Sequence, residues 1–475
     1  MKKLSVVGLV FFLAISVSTW ATEIAEFRLP APILETLPNG MKVAWFLDDK
    51  LPVVDIALLI ESGTKQDPKG KSGTVELVSR MLERGAKGLS AQIIGQKVES
   101  LGASGFASAD EEGITVGMHG LSQDADALLE ILSWMALSPN FSETEFNKEK
   151  IKIAESWKHL PDSVEALSGY GFGRAILSGT AYGRGSVKDV RELSKITVRD
   201  SESFYRTHFV APNSVLMVVG RVDRAAFRGK IISLYGDWKG KKPKQTAVVY
   251  GDPKLSLGLS QKKSAEQREV LVIDRTGVPQ AQIRLGFRIP GIHSEKRYSL
   301  AVANALLGEY FNSRLNLVVR DKLGLAYGIQ STLTYYKDLA FFSIGSATAT
   351  QNTGKLIEET IRQLRLMKAT DILDSEVQIS KDYLLGGYPL SVSTLGAVAS
   401  RWLNGYSFHL GPDYMNEFLP KVSAVTRESV VDAVEEAFHL DQMVIVVAGD
   451  AKEIEKSLRA KGFKKFRRIS ANSLL

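Results

Sequence analysis

The chain repeats one strand pattern about 228 residues after its first occurrence. The apolar segment Asp55–Gly63 is matched by Ala281–Gly291, and further along Ser214–Gly220 is matched by Gln442–Gly449. In each copy the later segment is followed by a helical pattern. Recurrence at a fixed interval is the signature of a duplicated structural unit. The chain is therefore predicted to fold as two similar α/β domains, each with its own core.

The length of 475 residues agrees with this division, because single cores rarely grow beyond about 250–300 residues. We expect a first domain at residues 22–240 and a second at residues 264–475. Residues 241–263 between them are rich in Lys, Gly and Ser, which is typical of an inter-domain linker.

The N-terminus has the organisation of a secretory signal at residues 1–21. Lys2 and Lys3 precede the apolar run Leu4–Val17, and Thr19–Ala21 supplies a small residue on either side of a cleavage-site tryptophan. An uncleaved membrane anchor is the alternative. No other apolar run is long enough to span a bilayer. We therefore expect an exported chain without membrane attachment after cleavage, periplasmic if the source is a diderm bacterium.

The positive charge is modest and spread along the chain, with a formal net charge of +7. Its densest runs are Lys239–Lys244 and Lys464–Arg468, which are interpreted as solvated linker and tail. Neither run combines aromatic residues with a recognisable nucleic-acid-binding fold, so nucleic acid is not an expected partner.

The remaining titratable residues show no ligand or catalytic spacing. Asp110, Glu111 and Glu112 adjoin in what is interpreted as a solvated turn, with metal binding as the alternative, and no nucleophile elbow supports serine chemistry. The chain has no cysteine. The histidines lie at six scattered positions: His119, His159, His208, His293, His409 and His439.

The segment Ser72–Gly88 is predicted to form an amphipathic helix. Val75, Val78, Met81 and Leu82 recur at steps of three and four residues, which places them on one buried face. The preceding segment, Leu37–Gly73, resembles the opening of the insulinase/pitrilysin/mitochondrial-processing-peptidase family. In active members of that family the helix carries HxxEH, whose two histidines bind zinc while the glutamate activates water.

This chain departs from that motif at every position. On the family pattern the two histidines fall on Glu76 and Arg80, the glutamate falls on Ser79, and a third ligand falls on Ser156, with Glu155 one residue away. A guanidinium has no lone pair to give to a metal. No zinc is therefore expected in this chain, and Glu76 and Arg80 are predicted to form an i, i+4 salt bridge.

A second resemblance lies in Asn312–Tyr327, which is similar to the second-domain signature SRL…R-E/D-K-x-G-L-A-Y of the same family. The resemblance implies that Arg320 and Tyr327 are a substrate-binding pair. Arg320 would end a helix, Gly324 would form the corner, and Tyr327 would lie on the next strand and point between the domains. The alternative is structural: an arginine is favoured at a helix C-terminus, and a strand tyrosine is usually half-buried packing.

The family also binds peptides as an added strand at a sheet edge in the first domain. The matching segment here is Leu101–Ser108, where Gly102, Ala103 and Ser104 offer little side-chain bulk. An ordinary edge strand is the alternative.

Taken together, the resemblance implies two homologous mixed-sheet domains with helical cover, arranged as a clamshell. It also implies a non-catalytic subunit of an exported heterodimeric zinc metallopeptidase. A homologous HxxEH subunit would hold the zinc, and both chains would bind an extended peptide. The alternative is a proteolytically inactive peptide-binding or scaffold protein of the same fold. A stand-alone peptidase with a rebuilt site is disfavoured, because Arg80 would place a positive charge where the metal should lie.

Overall fold

The computed structural model describes residues 27–185, 188–244, 269–369 and 371–473. The predicted signal at residues 1–21 and residues 245–263 of the predicted linker lie outside the described residues.

The first half of the chain builds one six-stranded mixed sheet, in the order β1-β2-β6-β3-β5-β4. Strands β2 and β6 pair in parallel, and the other neighbours are antiparallel. Its strands are β1 Ile33–Thr36, β2 Lys42–Leu47, β3 Val53–Ile60, β4 Ser104–Ala109, β5 Ile114–Leu121 and β6 Ser214–Gly220.

The second half builds another six-stranded mixed sheet, in the order β12-β7-β11-β8-β10-β9. Here β7 is parallel to both of its neighbours, and the remaining pairs are antiparallel. The fold class inferred from the sequence is thus confirmed. The strands are β7 Glu269–Asp274, β8 Gln280–Ile289, β9 Ile329–Tyr335, β10 Ala340–Ala349, β11 Val444–Gly449 and β12 Lys465–Ser470.

Helices cover both sheets. Those of the first half are α1 Thr74–Met81, α2 Ala91–Ser100, α3 Ala125–Leu137, α4 Glu143–Lys158, α5 Val164–Ile176, α6 Ala181–Gly185, α7 Val190–Ser194, α8 Val198–His208 and α9 Arg224–Tyr235. Those of the second half are α10 Arg297–Asn304, the π-helical segments Ala305–Glu309 and Asn316–Lys322, α11 Thr353–Lys368, α12 Asp374–Ser391, α13 Leu395–Ser407, α14 Tyr414–Ser423, α15 Arg427–Ala437 and α16 Ala451–Arg459. No helix in the described part of the chain combines the length and apolar character needed to cross a membrane.

Each half contributes helices that pack on the sheet of the other half. Helix α5 of the first half packs on the second sheet, where the ring centroids of Phe172 and Phe341 lie 5.9 Å apart. Helices α13 and α14 of the second half pack on the first sheet, and Trp402 contacts Phe46 at 5.8 Å. Strands covered on both faces carry nearly continuous apolar sequence, which explains the run in β6. The halves therefore share two apolar interfaces.

A buried charged cluster also joins the halves. Glu112 accepts a hydrogen bond from the Tyr182 hydroxyl at 2.7 Å, and its carboxylate lies 2.5 Å from the Lys65 ammonium. Asp338 from the second half lies 3.4 Å from the same ammonium. The interpretation as a solvated turn is therefore wrong for Glu112, whereas Asp110 is exposed. Local composition suggests exposure, but partners distant in sequence satisfy the buried charges.

The basic C-terminal run is also not a free tail. Residues Lys465–Ser470 form β12, which pairs in parallel with β7 along its whole length. Arg467 lies 2.6 Å from Glu269, and Arg468 lies 2.5 Å from Asp274. Acidic residues on the neighbouring strand therefore compensate this charge.

His208, at the end of α8, offers a test of the packing. Its Nδ1 lies 2.8 Å from the Ser62 hydroxyl, which also accepts a hydrogen bond from Asn213, and its ring stacks on Phe204 at 4.1 Å. The Ser62 hydroxyl can accept the hydrogen bond from Asn213 and at the same time donate its own proton to Nδ1 of a neutral imidazole. Burial lowers the pKa of His208 to about 4.

The folded state therefore binds fewer protons than the unfolded chain between about pH 6.5 and pH 4. We expect His208 to contribute stability that is complete above pH 6.5 and is lost as the pH falls through this interval. Between pH 7 and pH 4, the free energy of unfolding measured in urea should fall by about 1–2 kcal/mol more for wild type than for His208→Gln. This figure allows for partial exposure of the ring. Equal losses in both proteins would contradict this assignment.

Candidate functional site

Helix α1 is anchored so that one side faces the first-sheet core and the other faces α4. Its start is fixed by Asp67, whose carboxylate accepts hydrogen bonds from the backbone N–H groups of Gly73 and Val75 at 2.8 and 2.9 Å. Gly73 has a φ of +100°, which favours glycine there. The predicted apolar face of the helix is buried.

Glu76 and Arg80 form the predicted salt bridge, with Arg80 Nη2 at 2.9 Å from Glu76 Oε1. A second carboxylate, Glu149 on α4, extends the pair. It lies 3.4 Å from Arg80 and 2.6 Å from Arg84, and Lys152 approaches it at 2.8 Å. The side chain of Glu149 is fully buried. Burial acts to raise the pKa of Glu149, but hydrogen bonds and charges from Lys152 and Arg84 outweigh it and hold the pKa below its ordinary value.

The position aligned with the third zinc ligand does not take part in this cluster. The Ser156 hydroxyl donates to the backbone oxygen of Ile153, and Glu155 pairs with Lys158 in solvent. The carboxylate that meets α1 is Glu149, about two helical turns earlier. The sequence does contain a signal for it, because Glu149 lies on the same stripe of α4 as the buried Phe146 and Ile153.

These residues do not fit a zinc ion. A zinc site needs imidazole, thiolate or carboxylate ligands that converge on the point where the metal binds. Here the Arg80 guanidinium lies at that point, between Glu76 and Glu149. In the ranges that the structure describes, no three His, Cys, Asp or Glu side chains come together as metal ligands could.

Arg320 lies in the π-helical segment Asn316–Lys322, and Gly324, with a φ of +57°, forms the corner after it. Its guanidinium donates to both carboxylate oxygens of Asp321 at 2.7 and 3.2 Å. It also lies 3.6 Å from the ring centroid of Phe311, a cation–π contact. The side chain is 16% exposed and held in place.

Tyr327 does not lie on the following strand, as the sequence predicted, but in the bend before β9 begins at Ile329. The bend is fastened by Asn316, whose amide accepts from the backbone N–H of Ile329 at 3.1 Å and donates to its backbone oxygen at 3.0 Å. Tyr327 is 97% exposed, so the interpretation as half-buried packing does not apply. Asn316 is a positioning residue that sequence reasoning missed.

Arg320 and Tyr327 line one cavity of about 430 Å³. The floor of this cavity is the face of the second sheet on which α5 packs, with Gln282 and Arg284 from β8. Glu165, at the start of α5, is the first-half residue that reaches it. The pair therefore faces a space at the junction of the two halves, of a size typical for ligand pockets.

The predicted strand-docking segment divides into two parts. Ser104 begins β4, the edge strand of the first sheet. Gly102 and Ala103 precede the strand, and their N–H groups donate to the backbone oxygens of Glu99 and Val98 at the end of α2. Further along the edge, the N–H of Ala107 is bound by the Glu83 carboxylate at 3.2 Å. The edge is thus partly occupied by the chain's own groups.

Comparison with known families matches two models to this chain. The model described as "Insulinase (Peptidase family M16)" matches residues 42–169, and the model described as "Peptidase M16 inactive domain" matches residues 195–384. The first includes the α1 region and the second includes Arg320 and Tyr327.

Similar proteins occur in several bacteria. An uncharacterized zinc protease of Bacillus subtilis is 24% identical over 87% of this chain and 97% of its own length. A zinc protease of Helicobacter pylori is 22% identical over 74% of this chain and 78% of its own.

Solved structures share the fold. A peptidase M16 inactive domain from Pseudomonas fluorescens superposes with a TM-score of 0.78 at 21% identity, covering 89% of this chain and 98% of that one. A protease from Helicobacter pylori also gives 0.78 at 20% identity, covering 88% and 100%.

Proposed function

Because the chain belongs to the peptidase M16 family, we propose that it is the non-catalytic subunit of an exported heterodimeric zinc metallopeptidase. The observation that carries this proposal is an asymmetry between two sites. Salt bridges occupy the α1 positions that align with the family's zinc ligands, whereas Arg320 and Tyr327 line a cavity. General loss of function would not be expected to spare one half-site.

In this proposal the zinc and the water-activating glutamate belong to a homologous HxxEH partner. This chain holds an extended peptide so that its scissile carbonyl meets the partner's site. Arg320 offers guanidinium donors to a peptide carbonyl or carboxylate. The Tyr327 hydroxyl donates a hydrogen bond to a carbonyl oxygen that gains negative charge during hydrolysis. Its near-complete exposure keeps the phenol free for a peptide held between two chains.

The proposal is tested by co-expressing the chain with an HxxEH homologue from the same genome, both with their N-terminal segments, and isolating the exported fraction. We expect one complex with equal amounts of both chains on size-exclusion chromatography, with zinc bound in proportion to the partner. An Arg320→Ala, Tyr327→Phe double variant should assemble normally, because these side chains are assigned to substrate. Separate elution of the two chains would favour the scaffold alternative.

A further inference from the structure

We propose that the cavity beside Arg320 and Tyr327 recognises a basic side chain of the bound peptide, and that Glu309 is the residue that selects it. This inference rests on the proposed function, because it names the peptide feature that the same site would read.

Glu309 ends the π-helical segment Ala305–Glu309 and lines the cavity. One carboxylate oxygen accepts a hydrogen bond from the Asn304 side chain at 2.7 Å. Across the described ranges no lysine, arginine or histidine nitrogen lies within ion-pair distance of this carboxylate. Burial raises the pKa of Glu309, and the hydrogen bond from Asn304 opposes that rise. A half-buried carboxylate without a counter-ion favours a cationic ligand.

The other charges of the cavity are already compensated. Arg320 is bound by both oxygens of Asp321. Arg284 lies 3.9 Å from Glu165, which also lines the cavity. The Glu309 carboxylate is therefore the uncompensated charge among the described residues that line the cavity, and a peptide lysine or arginine would neutralise it.

The walls next to Glu309 are aromatic. Tyr310, Phe311 and Tyr327 line the cavity, and the ring centroid of Tyr383 lies 5.0 Å from that of Tyr310. Phe311 is 72% exposed, and Arg320 already stacks on its ring. Aromatic faces beside a carboxylate are the surroundings in which ammonium and guanidinium groups bind well.

The cavity also has a competing feature. The Nε of Arg284 is buried and has no hydrogen-bond partner in the part of the chain that the structure describes, and Arg284 lies against Gly345 on the sheet floor. An acidic peptide side chain would bind this end. Glu165 places an anion 3.9 Å from Arg284, whereas among the described residues no cation lies within ion-pair distance of Glu309, so the basic side chain is favoured.

The test uses three fluorescently labelled peptides that differ at one position, which carries lysine, norleucine or glutamate, with that position moved stepwise along the peptide. Binding is measured by anisotropy to this chain alone and to its complex with a partner whose HxxEH glutamate is replaced by glutamine. At one position we expect the lysine peptide to bind about tenfold more tightly than the norleucine peptide. Glu309→Gln should bring that ratio close to one, whereas Glu155→Gln, at an exposed carboxylate that does not line the cavity, should retain it within about twofold.

Equal affinity for lysine and norleucine at every position, or tighter binding of glutamate, would overturn the inference, and this comparison needs no variant. Failure of both protein forms to bind any peptide would overturn it as well. A lysine preference in a chain that forms no cleaving pair would retain the inference and reject the proposed function. A cleaving pair without a lysine preference would do the reverse.

Discussion

Replacing Tyr327 by phenylalanine is expected to lower kcat/KM for peptide cleavage by the reconstituted pair about 10²–10³-fold. The change removes one hydroxyl and keeps the ring. Tyr327 is 97% exposed, so the substitution leaves no buried group unsatisfied and should not alter stability. If the hydroxyl donates mainly in the transition state, kcat should fall and KM should change little.

A matched control is Tyr205→Phe, which removes a hydroxyl that donates to the backbone oxygen of Ala136 in the first half. Cleavage should then stay within about twofold of wild type. Arg320→Lys provides a second comparison, since lysine keeps the charge but loses the planar fork bound to Asp321 and stacked on Phe311. Unchanged cleavage by an assembled Tyr327→Phe pair would remove Tyr327 from the mechanism.

The second large effect is expected at Glu149. Glu149→Ala should lower the free energy of unfolding by about 3 kcal/mol, because Arg80 and Arg84 lose the buried anion that they share. Removal of one partner of a fully buried pair costs about 3–5 kcal/mol, and we take the lower value because both arginines are about one-third exposed. Urea unfolding at pH 7 measures the difference.

Glu155→Ala, on the same helix, is the control. Glu155 is exposed and pairs with Lys158 in solvent, so its loss should cost less than about 0.5 kcal/mol. Equal stability of the two variants would show that the ion cluster on α1 and α4 does not stabilise the fold.

Much of the fold could be predicted from the sequence, because periodicity and the internal repeat are local signals. The segment Asp55–Gly63 and its counterpart Ala281–Gly291 do form equivalent central strands, β3 and β8. The exchange of helices could not be predicted. The apolar face of α5 carries no indication that its partner is the sheet of the other half.

The candidate site was only partly predictable for the same reason. The salt bridge between Glu76 and Arg80 is a contact within one helix and was predicted correctly. Glu149 reaches Arg80 from another helix, and Glu112 is buried by residues far away in sequence. The placement of Tyr327 before its strand depends on Asn316, whose amide fixes the start of β9. Periodicity marks Glu149 as a buried position of α4, but it does not identify the partner in a long-range contact of this kind.

A titration shows whether this chain completes a peptidase without performing the zinc chemistry. A fixed amount of the purified HxxEH homologue is mixed with increasing amounts of this chain, and cleavage of a quenched fluorescent peptide is followed. We predict negligible cleavage by either chain alone and a rate that rises to a plateau at one chain per partner. A partner that cleaves fully alone, or cleavage that does not respond to this chain, would contradict it.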